Sequence, residues 1–394
     1  MARALGGVSY GEAAAASGLP AEAFAAALAG LPGMGPARLS AILRAERAAP
    51  AWGRICGGTG WRAADVVAAL GSRSDALMAR WRRAATEIDP AAVWRTIVDE
   101  GIGVAVIGSA GYPPALAADI EPPGVVFHRG SPDVVTGARV AVVGTRQCSS
   151  TGAAIAWELG RDLAAAGVAV VSGLASGIDA AGHRGALAAM GQAAGAPPIG
   201  VVGSGLDVVY PRGQAELWRA VASQGVLLSE APLGARPERW RFPARNRIIA
   251  ALADLVVVVE SHRTGGSMHT VDEADRRGID VMAVPGSVRA PASTGTNGLL
   301  AEGRVPVCSA DDVLVALGLR PAGRRPRAET RPRPDPDDIP VLDAVGWQPA
   351  SLDQIGVRTG RVLAILAPAL DRLCESGWVA RRGGWYERVA GGTP

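Results

Sequence analysis

Lysine is missing altogether: every one of the 40 basic residues in this 394-residue chain is arginine. That absence excludes a GxxxxGK[ST] phosphate loop, and ATP hydrolysis by such a loop with it. Arginine, alanine and glycine are in excess together, as in a GC-rich coding bias, so only arginines in special places count as evidence for phosphate binding. The four cysteines, Cys56, Cys148, Cys308 and Cys374, form no CxxC pair. Their spacing disfavours a zinc site or a disulfide framework and fits a reducing cytoplasm. No run approaches the roughly 18 to 20 uninterrupted apolar residues of a membrane span. No signal peptide is expected either, because Glu12 and Glu22 interrupt the alanine-rich stretch 11–29. The formal net charge is only +3, which permits a nucleic-acid partner without demanding one.

What is present is alternation. With 48% hydrophobic residues the chain can bury a large core, and its length fits two or three domains. Residues 139–286 repeat one pattern: a short valine-rich run, a glycine turn, then a helix-length segment. Val140–Val143 breaks into Gly144-Thr145-Arg146, and residues 168–171 into Ser172-Gly173. Ile199–Val202 breaks into Gly203-Ser204-Gly205, and residues 256–259 lead to Thr264-Gly265-Gly266-Ser267. Apolar strands alternating with helices predict an extended Rossmann-like α/β fold with a doubly wound, mostly parallel sheet. Ligands then gather at the carboxyl ends of the strands. Helices are expected at 150–166, 179–190, 215–222, 246–253, 268–277 and 311–317, and further strands at 102–107 and 125–128. The prolines of 113–114 and 122–123 place the start of the sheet domain near 130–137.

The flanks read differently. Residues 12–98 are short helices, and within them Leu31-Pro32-Gly33-Met34-Gly35-Pro36 is either a helix-hairpin-helix turn able to approach a phosphate or a tight turn between packing helices. The division expected is a helical domain over 1–100, a core over 101–318, an Arg/Pro-rich flexible linker over 319–338 and a winged helix over 339–394. Ser351-Leu352-Asp353-Gln354 has the form of a capping box, Thr359 or Arg361 opens a longer helix through Glu375, and a hairpin turns at Gly383-Gly384. Such domains bind DNA or proteins; Arg358, Arg361, Arg381 and Arg382 favour nucleic acid slightly.

For chemistry in the core, Gly144-Thr145-Arg146 does not extend to GxGxxG and no acidic residue marks a ribose site, so a dinucleotide cofactor is not expected. His183, His262 and His269 have no nucleophile beside them and read as structural. Asp179 either orients a ligand hydroxyl or caps a helix. Glu260, beside Thr264-Gly265-Gly266-Ser267, is the most enzyme-like feature. The other reading makes the whole edge a phosphate-backbone surface, with Arg146, Arg212, Arg245 and Arg247 projecting from it and Asn246 bonding phosphate, sugar or base.

Several motifs in order resemble the DNA processing protein A (DprA/Smf) family over most of 103–317. These are Val142-Val143-Gly144-Thr145-Arg146, Ser172-Gly173-Leu174-Ala175-Ser176-Gly177-Ile178-Asp179, Gly203-Ser204-Gly205-Leu206-Asp207 with Tyr210-Pro211, and Phe242-Pro243-Ala244-Arg245-Asn246-Arg247. Thr264-Gly265-Gly266-Ser267, Ala283-Val284-Pro285-Gly286 and Gly295-Thr296-Asn297 follow. The resemblance implies a cytoplasmic, dimeric, non-enzymatic protein without cofactor or metal. Its partners would be single-stranded DNA and the RecA recombinase, which it would load during natural transformation. It carries DNA contacts onto Arg146, Arg212, Arg245, Asn246 and Arg247. The phosphate-surface reading adds the turn residues Gly144, Thr145, Ser172, Gly173, Gly203, Ser204, Gly205, Gly265, Gly266 and Ser267 as further donors. Gln214 stands where asparagine is usual, and Met268-His269 where Leu-Ile is usual. Two alternatives predict different outcomes: a nucleoside-monophosphate-cleaving enzyme acting through Glu260, and a core that only dimerises a DNA-binding winged helix.

Overall fold

The computed structural model describes residues 18–191, 195–320 and 331–389. The amino-terminal stretch of 12–98 before residue 18 and the Arg324-Arg325-Pro326-Arg327 part of the linker lie outside the described residues. The core is a mixed α/β unit around one sheet. In chain order its strands are β1 (Gly103–Val106), β2 (Val125–Gly130), β3 (Arg139–Val143), β4 (Ala169–Ser172), β5 (Ile199–Val202), β6 (Val226–Ser229), β7 (Leu255–Val258), β8 (Asp280–Ala283) and β9 (Val305–Pro306). Their spatial order is β1-β2-β6-β5-β4-β3-β7-β8-β9. From β6 to β9 every pairing is parallel, whereas β2 pairs antiparallel with β6 and β1 antiparallel with β2.

Residues 130–137 are therefore not where the sheet begins, since β1 and β2 precede them and extend the same sheet. The prolines expected to mark a boundary instead shape the crossing between those two strands. Strands β6 and β8, Val226-Leu227-Leu228-Ser229 and Asp280-Val281-Met282-Ala283, are short runs not followed directly by the glycine turn that marks β3, β4 and β5.

Alternate residues feed opposite faces, as the pleat requires. Val140, Val142, Val170, Leu255 and Val257 pack under the helices Ser150–Ala165 and Ile178–Ala189. Ala141, Val143, Val171, Val256 and Val258 pack under the helices Arg241–Leu252 and Met268–Arg277. On the first face, Val125, Phe127 and Leu227 join a cluster with Phe24, Leu28, Ile42, Trp52 and Trp81 of the amino-terminal helices. That unit is thus packed on the sheet rather than strung beside it.

The carboxy-terminal unit has its own core, in which Val341, Leu342, Ile355, Leu370 and Tyr386 are buried. Its helices are Ile339–Val345, Leu352–Thr359 and Leu363–Glu375, and its strands β10 (Ala350–Ser351), β11 (Val379–Arg382) and β12 (Trp385–Arg388) pair in the order β10-β12-β11. Ser351 and Gln354 make the expected capping box. Part of the linker is anchored here. Arg331 donates to the carbonyls of Gly377 and Val389 at 3.0 and 2.9 Å and lies 3.8 Å over the Trp378 ring, and Asp338 pairs with Arg372. Among the described residues no helix is long and apolar enough to cross a membrane.

The two helices on the first face touch through glycine. A Cβ on Gly160 would lie 2.0 Å from the Gly182 carbonyl oxygen, which is backbone and cannot swing aside. Gly160→Ala should therefore lower unfolding stability by about 1–3 kcal/mol, read as a reduced urea midpoint with unchanged m-value.

Candidate nucleic-acid interface

The turns that follow β3, β4 and β5 converge on a cleft of about 260 Å³ at the carboxyl edge of the sheet. Arg146 and Gln147 after β3, Gly173 and Ser176 after β4, Gly203 after β5, and Tyr210 and Phe242 line it, so each turn supplies a stretch of its wall. The Arg146 guanidinium lies over the Phe242 ring, 5.0 Å from its centroid, and the Tyr210 ring is 5.5 Å from Phe242 at 37°. Arg146 is exposed and Tyr210 is 38% exposed, so a cation and an aromatic shelf both face solvent.

Arg245 is at the base of the cleft and is only 7% exposed. Its Nη1 donates to the Gly173 carbonyl at 2.7 Å and to the Val201 carbonyl, tying the end of β4 to the end of β5. Nε is buried without a partner. Burial pulls the Arg245 pKa down to about 10, with Asp179 opposing that shift and Arg146 adding to it. The group remains charged at neutral pH. A side chain at position 173 would collide with it, since a Cβ there would lie 2.1 Å from Nη1, which explains glycine at this turn. Asp179 accepts from the Gly173 N–H at 3.1 Å, and burial raises its pKa against the pull of Arg245. His183 is fully buried with Nε2 3.2 Å from the Ile199 carbonyl, and burial lowers its pKa to about 4, so it is neutral. Asp179 and His183 build the floor rather than face the cleft.

The triplet Arg245-Asn246-Arg247 does not act as one surface. It lies inside the helix Arg241–Leu252, where successive side chains point about 100° apart. Asn246 is 8% exposed and its Nδ2 donates to the Gly266 carbonyl at 3.1 Å, steadying the Thr264–Ser267 turn. Arg247 makes a bidentate pair with Glu230 at 2.6 and 2.5 Å and donates to the Glu121 carbonyl at 2.7 Å. Both partners of that pair are largely buried, and burial raises the Glu230 pKa against the pull of Arg247.

The remaining positions separate in the same way. Gly144 joins β3 to the Thr145-Arg146 wall, and the Thr145 N–H donates to the Glu260 carbonyl at 2.7 Å. Ser172 is buried, with its hydroxyl donating to Val142. Ser204 donates to Val208, and the Gly205 N–H to Ala235 at 3.0 Å, which shapes the wall. Arg212 is exposed just beyond Pro211, which lines the cleft, but is not itself among the cleft's lining residues. Gly265, Gly266 and Ser267 are not among the cleft's lining residues; the Ser267 hydroxyl donates to that of Ser261 at 2.8 Å. Glu260 is occupied as a helix cap, its carboxylate accepting from the Ser149 N–H at 2.9 Å and the Ser149 hydroxyl at 2.6 Å.

Tyr210, Phe242, Gln147 and Ser176 line the cleft without having been proposed as contacts. Phe242 carried a signal, as one of three phenylalanines in the chain and the neighbour of the arginine triplet. Gln147 and Ser176 carried none, because polar turn residues are common.

Comparison with known proteins agrees with this architecture. The model of the family described as DNA recombination-mediator protein A matches residues 103–318. The chain is 36% identical over 220 residues to the DNA processing protein DprA of Bacillus subtilis, covering 56% of this chain and 72% of that one. It is 34% identical over 286 residues to Protein Smf of Escherichia coli, covering 71% and 75% respectively. The X-ray structure of DNA processing protein A from Streptococcus pneumoniae superimposes with a TM-score of 0.61 at 31% identity, over 75% of this chain and 96% of that one. The chain belongs to the DNA recombination-mediator protein A family, known also as DprA or Smf.

The Arg247 geometry predicts a stability phenotype. Removing one partner of a buried pair leaves the other charge uncompensated, so Arg247→Ala should cost about 3–5 kcal/mol in urea unfolding. The double change Arg247→Met with Glu230→Leu should recover most of that loss.

Proposed function

We propose that the carboxyl-edge cleft binds single-stranded DNA, with Arg146 and Arg212 meeting phosphates and the Phe242–Tyr210 shelf stacking an unpaired base. The observation that carries this reading is the exposed Arg146 guanidinium stacked on Phe242 above a floor of glycine backbone and buried Arg245. Cation, aromatic face and uncharged backbone together suit a strand whose bases are free to splay, and every base offers a face to stack. Buried Arg245 adds positive potential from below, and Asn246 and Arg247 brace the helix that carries Phe242 against its neighbours.

In this reading the protein protects incoming single strands and hands them to the RecA recombinase during natural transformation, acting as a cytoplasmic homodimer without catalysis. Family membership supports the setting. The chain divides into a helical unit over 1–100, the core over 101–318, a linker over 319–338 and a winged helix over 339–394. Engagement of Glu260 as a cap on Ser149 weighs against the nucleotide-cleaving alternative, which needs that carboxylate free. The winged helix is not the principal DNA reader. Its third helix, Leu363–Glu375, presents Leu363 and Ile365, 59% and 52% exposed, where base recognition needs donors and acceptors, and Arg358 and Arg361 each donate to a backbone carbonyl.

Fluorescence anisotropy of a labelled oligo-dT tests the reading. Arg146→Ala should weaken binding by at least about tenfold and make the log–log salt slope shallower by about 0.7, the value for one phosphate on a single strand. Unchanged affinity and slope would remove Arg146 from the interface.

A further inference from the structure

The helix that follows the Gly144-Thr145-Arg146 turn begins at Ser150, and two carboxylates from distant parts of the chain cap its first turn. Glu260 of the core takes the Ser149 N–H and hydroxyl. Glu387 of β12 takes the next amide, its Oε2 accepting from the Ser150 N–H at 2.8 Å across 237 positions of sequence. Glu387 is only 9% exposed. A carboxylate on a hairpin otherwise rich in arginine is thus buried against the core. A second bond joins the two units on the same edge, from Gln348 Nε2 to the Ser287 hydroxyl at 2.9 Å. Between the cleft and this latch lies Cys148. Its thiol is pushed up first by burial and then by Glu260, while Arg382 of the hairpin opposes and Glu387 adds to the rise.

We propose that the carboxy-terminal unit is parked on the core by this carboxylate latch, and that a DNA strand following the edge from the cleft must displace it. The inference rests on the cleft being the DNA site. Arg146 and Gln147, which form one wall, are only four and three residues from Ser150. The start of a 16-residue helix carries partial positive charge, so an anion is favoured there. Glu387 now supplies that anion. A phosphate arriving beside it meets both its negative charge and the bulk of β11 and β12, so strand and hairpin exclude each other. Released, the unit can carry its exposed Arg381 and Arg382 and the exposed Leu363 and Ile365 of its third helix to other contacts.

The test uses the full chain. Glu387→Gln removes the charge but keeps the shape, and Arg146→Ala reports on the cleft. Oligo-dT affinity by anisotropy is read together with hydrogen exchange of the peptides holding Ser150 and β12. The latch predicts that Glu387→Gln binds on the order of tenfold more tightly, the value of one charge-assisted bond released. It also predicts that adding oligo-dT to the wild type speeds exchange in β12, although bound DNA ordinarily slows exchange where it lies. If Arg146→Ala weakens binding about tenfold or more while Glu387→Gln binds as wild type or more weakly and β12 exchange stays level or slows, the latch is wrong and the cleft stands. The hairpin is then a fixed neighbour or part of the DNA surface. If Arg146→Ala leaves binding intact, the cleft reading and the latch fall together.

Discussion

The Arg245 guanidinium is the interaction on which the edge depends. Its Nη1 donates to the carbonyls of Gly173 and Val201, so the ends of β4 and β5 are tied together under the cleft. A buried cation bonded to carbonyls is costly unless a negative group is near, and Asp179 supplies one while anchoring the Gly173 amide. Glycine at 173 is then required by the arginine, since a Cβ there would lie 2.1 Å from Nη1. The cleft is a consequence of this closure: its floor is backbone, and its exposed charge comes from Arg146 on the wall.

The same arrangement separates structural from exposed arginines. Arg247 is consumed by Glu230, Arg139 by Asp254 and Arg277 by Asp119, all in ion pairs that fasten connections between strands and helices. Arg146 is held by an aromatic face instead of a carboxylate, which leaves its donors available. In a chain where arginine is abundant, the partner it keeps is more informative than the residue itself.

Much of the fold was legible. Valine runs broken by glycine turns are what a parallel sheet covered on both faces requires, and β3, β4, β5 and β7 lie within a residue or so of where those runs predicted. Strands β1 and β2 were visible as strands but not as members of this sheet, because the antiparallel pairing of β2 to β6 and of β1 to β2 is a tertiary fact with no local mark. At the site, Arg146 and the glycine turns after β3, β4 and β5 were legible as a shared edge, while the 264–267 turn lies off it. The roles of Asn246 and Arg247 were not: a triplet adjacent in sequence reads as one patch, and only the helical turn and the distant Glu230 and Gly266 show that it points three ways. The Glu387 contact with Ser150 joins residues 237 apart and has no sequence signature at all.

The central claim is that unpaired bases rest on the Phe242–Tyr210 shelf beside Arg146. The most direct measurement is photo-crosslinking of a 5-iodouracil-substituted single strand to the full chain, with the adducts mapped by mass spectrometry. The account predicts adducts on Tyr210 and Phe242 that vanish in Arg146→Ala. Adducts confined to the amino-terminal helices or to residues 331–389, with none on the shelf, would contradict it.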